Sequence, residues 1–301
     1  MRLVIRRGVA RALVAALMAG TALAQEGSQT PADEKQRMTQ LGLDHETARD
    51  LYEYFKQQAN GGEALTWRNI PDWTGVWTRE ASPFFWDPDQ TSTETLPPSV
   101  KLTPAYEQEL SERVEKFNQG IDYDPLSMCN PAGMPRWLVE PFLREFIVTP
   151  YQVWLVNEMM NEIRRVYTDG RDHPSEADAY PLWEGDSIGF WDGDRLVIHT
   201  AQMRAGILQR IQPRVSEEVE VVEIWQKTAD DTMVAHVWLY DPQAFEEPWY
   251  TKQVYKKLSN DDKSLRIRHW HCGENPNNVV IETDEGASDF ADFTFTDEDD
   301  E

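Results

Sequence analysis

From about Glu145 the chain becomes a succession of short runs rich in Val, Ile, Trp and Tyr, broken by Gly, Asp, Asn and Pro. The runs are EFIVT, YQVWLVNE, EIRRVYT, DSIGFW, DRLVIHT, EVEVVEIWQKT, DTMVAHVWLY, PWYTKQVYKK and SLRIRHWHC. β-Branched and aromatic side chains suit a pleated, half-buried surface, and turn signals between such runs predict an all-β sandwich or barrel. Trp191-Asp192-Gly193-Asp194 stands between two runs, and an Asp-Gly pair favours the type I′ turn of a tight hairpin. Ala229-Asp230-Asp231, Ser259-Asn260-Asp261-Asp262 and Asp169-Gly170 predict further hairpin ends. Parallel neighbours need a crossover of a dozen residues or more, and few connections here are long enough. The expected sheet is therefore antiparallel.

The N-terminal part reads differently. Arg2, Arg6, Arg7 and Arg11 precede an alanine- and leucine-rich run ending at Ala22-Leu23-Ala24, the pattern of a secretory signal over residues 1–24 cut before Gln25. Residues 25–43 predict a flexible lead-in. A helix is expected over 44–60, capped by Asp44 and ended by Gly61-Gly62, and another over 103–119, with Thr103 as cap and Pro104 at its first position. PDWTGVWTRE, residues 71–80, has the composition of a first strand. A single domain is expected over 44–281. Residues 282–301 hold ten acids and no base, which predicts a solvated acidic tail.

Removing the signal takes away four arginines and no acids, so the formal charge falls from −24 to −28. Such a surface opposes binding to nucleic acid, which requires clustered Lys and Arg. Past the signal, no run is long and apolar enough to predict membrane insertion of the mature chain. The two cysteines, Cys129 and Cys272, most simply pair in an oxidising compartment. Two separate buried thiols, or one nucleophilic thiol, are the alternatives. The expected location is the periplasm or the medium.

Two resemblances add to this. Asp72-Trp73-Thr74-Gly75-Val76-Trp77 resembles the D-x-x-G-x-W opening of lipocalins and related calycin-type barrels, which implies an antiparallel barrel plugged at one end by the tryptophan. CNPAGMPR (129–136), EFIVTPYQVWLV (145–156), RRVYTDGRDHP (164–174), GDSIGFWDGDRLVIHT (185–200) and DPQAFEEPWYTKQVYKK (241–257) are together similar to a large, mostly uncharacterised family of exported bacterial proteins. That resemblance implies an exported, mostly β domain and no particular reaction. Where relatives carry a histidine before Ser-Ile-Gly, this chain has Asp186, so no catalytic role carries over to that position.

Strand alternation sorts the candidate site residues by face. In SLRIRHWHC, His269 and His271 share a face with Leu265 and Ile267, and Cys272 points the other way. His236 shares its face with Trp238 and Tyr240, and His199 shares one with Val197. If these are inner faces of neighbouring strands, the histidines converge at the polar mouth of a cavity. An H-x-H pair can also ligate a metal, with Glu274, His199 or His236 as third ligand. Histidines hydrogen-bonded at a barrel rim are the plainer reading, and no metal or other cofactor is expected. Arg136, held between prolines, can grip an oxyanion with its guanidinium or can be a structural arginine bonded to loop carbonyls. Arg164, Arg165, Tyr167, Asp169, Arg171, Asp172 and His173 form a dense polar segment whose charges are expected to be mostly solvated. Trp154, Trp183, Trp191, Trp225, Trp238, Trp249 and Trp270 are spread over the β region, either packing a core or lining an aromatic cavity.

The expectation is an exported, mainly antiparallel, lipocalin-like barrel with N-terminal helices, binding a small aromatic or lipophilic molecule. Arg136, Trp154, Trp238, Tyr240, His269 and His271 are the candidate binding residues. The alternative is a cofactor-independent lyase, isomerase or hydrolase in the same cavity. There, His199, His236 or His269 would act as general acid or base, and Arg136 would stabilise an oxyanion.

Overall fold

Alternating apolar residues let nine of the expected strands curl into a closed barrel. The computed structural model describes residues 30–80, 85–90, 96–122, 124–175, 177–209, 211–258, 264–272, 280–282 and 288–290. The signal segment therefore lies outside the described residues, as does most of the acidic tail. The barrel strands are β1 (Trp77–Arg79), β2 (Arg144–Val148), β3 (Gln152–Asn157), β4 (Ile163–Tyr167), β5 (Asp186–Asp192), β6 (Arg195–Ala201), β7 (Glu220–Ala229), β8 (Thr232–Tyr240) and β9 (Trp249–Lys257). Each neighbours the next in sequence, and β9 closes the ring on β1.

The sheet is mixed, which corrects the expectation of antiparallel pairing throughout. β4 and β5 run parallel, with Val166 opposite Ser187 and Tyr167 opposite Ile188. The other neighbouring pairs are antiparallel. Residues 168–185 supply the crossover this requires. Asp169-Gly170 accordingly opens the crossover and is not a hairpin end. SLRIRHWHC is also corrected: residues 265–272 form no strand and run beside the barrel, with Arg268 N donating to Glu158 and Trp270 N to Asn161. The β5–β6 hairpin turns one residue later than expected. Its loop is Gly193-Asp194, with positive φ at Gly193 alone, a place that glycine fills without strain.

Three helices accompany the barrel. Pro31–Leu43 forms α1, within the stretch expected to be a flexible lead-in, because Thr30 and Asp33 make a capping box and Pro31 starts the first turn. α2 (Ala48–Gln58) is capped by Thr47 with Asp50, while Asp44 caps the C-terminus of α1. α3 (Pro104–Asn118) follows Thr103, whose hydroxyl donates to the Gln243 carbonyl. Among the described residues no helix is long and apolar enough to cross a membrane. Cys129 and Cys272 form a disulfide across a sequence separation of 143, strapping the 264–272 segment to the loop before Arg136. Ser288–Phe290, inside the expected tail, pairs with Val280–Glu282 and with Ile121–Asp122.

Alternation divides the buried side chains into two clusters. One lies inside the barrel and at its ends and includes Trp77, Phe146, Leu155, Val166, Leu196, Ile198, Trp225 and Tyr255. The other lies between the outer wall and the first two helices: Ile188, Phe190, Val197, Val222, Trp238 and Tyr250 meet Met38, Leu51 and Tyr52. The interior also holds charge. Arg164 on β4 reaches across to Glu223 on β7 with two guanidinium nitrogens, and both side chains are fully buried. Ser187 and Thr200 accept its remaining donors at 3.1 and 2.7 Å, and Trp225 Nε1 donates to Glu223 at 2.8 Å.

Removing one partner of such a pair strands a buried charge and typically costs about 3–5 kcal/mol, whereas replacing both by apolar residues is often neutral. Glu223→Ala is therefore expected to lower the free energy of unfolding in urea by about 3–5 kcal/mol. The double variant Arg164→Met/Glu223→Leu should lose much less. Equal losses in the two would contradict this account.

Candidate functional site

The outer face of β5, β6 and β7 is apolar in its middle and polar at its two ends, and one of those ends carries the titratable groups Asp186, His199 and Glu220. Alternation puts Asp186 beside Ile188 on β5, His199 beside Val197 on β6, and Glu220 beside Val222 on β7. The registers align them at one end, with Asp186 opposite Ala201 and Glu220 opposite Tyr240. The crossover then lays His173 on top. Its Nδ1 lies 2.5 Å from Asp186 Oδ1, and its Nε2 lies 2.7 Å from His199 Nδ1. His199 Nε2 faces Glu220 Oε2 at 3.2 Å. Asp186, His173, His199 and Glu220 thus form one continuous chain.

α2 covers this chain. The Tyr52 ring lies 5.6 Å from the His199 ring, and Arg49 makes a two-point ion pair with Asp172, next to His173, at 2.7 and 3.1 Å. That pair holds the Asp172 carboxyl down at about 2. Burial lowers the affinity of His199 for a proton, and the neighbouring Glu220 partly restores it. His199 is 2% exposed and Glu220 is 38% exposed at its side chain, so the chain runs from the interior of the layer to open solvent.

Glu220 reaches solvent in a cleft of about 620 Å³ between the start of α2, the end of β8 and residues 245–248. Tyr240 and Phe245 form part of its wall. Tyr240 is held in place because its hydroxyl donates to the Gly42 carbonyl at 2.9 Å.

A second buried polar group closes the barrel end. Glu162 accepts from Gly133 N at 2.9 Å, and Met134 N donates to the Trp183 carbonyl at 2.8 Å. Burial pushes the Glu184 carboxyl well above its ordinary range, with Glu162 beside it adding to the effect, and burial likewise raises Glu162.

The expected site residues do not converge. His199 belongs to the chain just described. His236 is on the same outer wall, but β7 stands between β6 and β8, which separates the two by roughly 10 Å. The His236 ring instead meets Tyr250 Oη at 2.8 Å. His269 and His271 are exposed on the strapped segment, away from any common strand face, and Glu274 lies outside the described residues. Arg136 is buried and fully engaged by carboxylates: Asp124 takes two nitrogens at 2.6 and 2.9 Å, and Glu140 takes Nε at 2.5 Å. Neither the expected oxyanion grip nor bonds to loop carbonyls occupy it.

Trp154 faces outward on β3 beneath the Arg165 guanidinium, 5.0 Å away. Trp238 donates Nε1 to the Met38 carbonyl at 2.8 Å. Trp191, Trp225 and Trp249 pack the core, while Arg204 covers Trp183 and Phe142 meets Trp270. Among the described residues no group of three or more His, Cys, Asp or Glu is placed to hold a metal ion.

His173, Asp186 and Glu220 are the members that sequence reasoning did not select. Alternation alone could have put Asp186, His199 and Glu220 on one face of successive strands. His173 arrives from a connection that no strand pattern places. No protein-family model matches the chain, and no curated protein is significantly similar to it.

His236 yields a pH prediction. Burial pushes its imidazole down to about 4, against about 6.5 in an unfolded chain. Between those values the unfolded chain holds a proton that the folded one refuses, so stability falls as the pH drops from 6.5 towards 4. The side chain is 21% exposed, and the expected loss is about 2–3 kcal/mol. His236→Gln should remove that portion of the acid sensitivity in urea denaturation at pH 7 and pH 4. An unchanged pH dependence would refute it.

Proposed function

We propose that the protein is an exported binding protein for a small aromatic molecule, uncharged or cationic, held in the cleft on the outer wall of the barrel. The observation that carries this reading is the cleft itself. Its volume of about 620 Å³ falls within the range of drug-sized ligand sites, and it combines an apolar wall with a few polar groups. Tyr240, Pro242, Phe245 and Pro248 offer flat apolar surface. Glu46, Glu218, Glu220 and Glu246 surround it, a setting that favours a cation and repels a carboxylate. The barrel interior is taken up by aromatic and aliphatic side chains and the Arg164–Glu223 pair, so the outer cleft suits a ligand better.

Export is supported by the disulfide and by the arginine-led apolar segment at the N-terminus, which fit the periplasm or the medium. The calycin-type reading of the barrel rests on Asp72–Trp77. Trp77 is fully buried against Phe146, and its Nε1 donates to the Trp73 carbonyl at 3.0 Å. Membership of the uncharacterised exported family belongs to the same reading. Its CNPAGMPR segment seals the barrel end, and its SIGFWDGDRLV segment supplies β5 and β6.

Benzyltrimethylammonium, titrated calorimetrically against benzoate as its anionic counterpart, tests this. The cation should bind, more weakly as salt is added, and benzoate should not. Glu46→Gln/Glu218→Gln should reduce the affinity about five-fold, since exposed charges contribute well under 1 kcal/mol each. Equal binding of benzoate, or an affinity unmoved by the double variant, would overturn the assignment.

A further inference from the structure

The cleft is joined to a chain of titratable groups that binding alone does not need. Asp186 and Glu220 end the chain, and the imidazoles of His173 and His199 connect them through contacts of 2.5, 2.7 and 3.2 Å. A neutral imidazole carries one N–H and one bare nitrogen. Three hydrogen bonds in series need three protons, and two neutral imidazoles supply two. With Asp186 and Glu220 ionised, Asp186 accepts from His173 Nδ1, and His173 Nε2 accepts from His199 Nδ1. That order leaves the bare Nε2 of His199 facing the Glu220 carboxylate, lone pair against lone pair. The chain is one proton short, and the gap falls at Glu220, where the contact is longest, 3.2 Å against 2.5 Å at Asp186.

We propose that the cleft is a general-base site in which Glu220 takes a proton from the carbon next to the carbonyl group of a small cationic ketone or ester. This rests on the cleft being the ligand site. The C–H bond breaks, its electron pair forms a C=C bond, and the carbonyl π pair moves onto oxygen. The proton sits on Glu220 Oε2 and donates to His199 Nε2, which completes the third hydrogen bond. Returning it to carbon or oxygen gives a tautomer or the starting compound, so no oxidant or second reactant is consumed.

Two observations select this substrate class. The residues lining the cleft are acidic, hydroxylic or apolar, with no Lys, Arg or His among those described, so the positive charge that steadies the enolate must come from the substrate. Tyr240 and Phe245 also leave room for a flat group beside it. Glu220 is the catalytic residue here, and His199, His173 and Asp186 are positioning residues that hold its carboxylate and take up the hydrogen bond of its proton.

The charged and titratable groups facing the chain come from each neighbouring element. α2 contributes Arg49, Glu53, Lys56 and Tyr52; the crossover contributes Asp172, with Arg171 and Asp169 behind it. Arg49 is already engaged by Asp172 and Glu53, which leaves the proton deficit of the chain uncompensated from that side.

The test uses the full protein and phenacyltrimethylammonium, whose CH₂ lies between a carbonyl and a quaternary nitrogen. Loss of the CH₂ proton signal in D₂O reports proton abstraction, and calorimetry on the same samples reports binding. The wild type should accelerate exchange over buffer, and Glu220→Gln should abolish the gain. His199→Gln and His173→Gln should slow exchange about tenfold or more while affinity stays within about two-fold. Asp186→Asn should shift the pH of half-maximal exchange. A probe that binds but exchanges no faster than in buffer, or equally fast in His199→Gln, overturns the proposal and leaves the binding site standing. A probe that does not bind takes down both readings. Nitrogen-15 spectra of the imidazoles supply a readout that needs no substrate. Asp186→Asn should change the signals of both His173 and His199, and a change confined to His173 would break the chain.

Discussion

A closed ring of strands must return to its starting direction, so an odd number of strands cannot pair antiparallel all the way round. Nine strands close here, and β4 with β5 is the pair that runs together. A parallel step demands a long connection, and residues 168–185 supply it. That connection carries His173 onto the outer wall between Asp186 and His199, and the Arg49–Asp172 pair pins it beneath α2. The polar chain, its cover and its outlet into the cleft all follow from how the ring closes.

Inside the barrel, Arg164 and Glu223 hold each other across the ring, and Ser187, Thr200 and Trp225 are recruited to them. Such pairing offsets the cost of burying charge. Arg144 manages differently. Its guanidinium lies over the Trp137 and Tyr255 rings and donates to the Phe142 and Trp137 carbonyls, and burial lowers its hold on the proton. An interior spent on packing and charge pairing leaves the cleft to the outer wall. The helices supply the second wall there.

The same outer face carries both apolar core and the polar chain. Phe190, Val222 and Trp238 give α2 an apolar footing on which its Tyr52 packs, and Asp186, His199 and Glu220 stand at the edge of that footing, where the layer thins towards solvent. A histidine in this position is dry enough to favour its neutral form and close enough to Glu220 to feel its charge. His236, one strand further along and beside Tyr250, has burial without a comparable polar chain.

Much of the fold was legible from local pattern. Val, Ile and Trp alternation located eight of the nine late runs as strands, the composition of residues 71–80 bracketed the first, and Thr103-Pro104 marked the third helix. SLRIRHWHC has the same texture and is no strand, because pairing partners decide whether a run joins a ladder and β1 already occupies the closing edge. Had that run joined, ten strands could have paired antiparallel throughout. The cysteines were paired correctly from their number and an expected oxidising compartment alone. The face shared by His236, Trp238 and Tyr240 was also correct, but alternation cannot say which face looks inward. His173 was out of reach, since its position depends on a crossover that exists only because the ring has odd parity. By itself the sequence determined nine of the strands, the start of α3 and the disulfide, because these rest on short-range backbone and side-chain preference and on cysteine number. The tertiary structure alone decided which face is buried by helices, where the parallel step falls and which side chains meet there, because those depend on closure of the whole sheet.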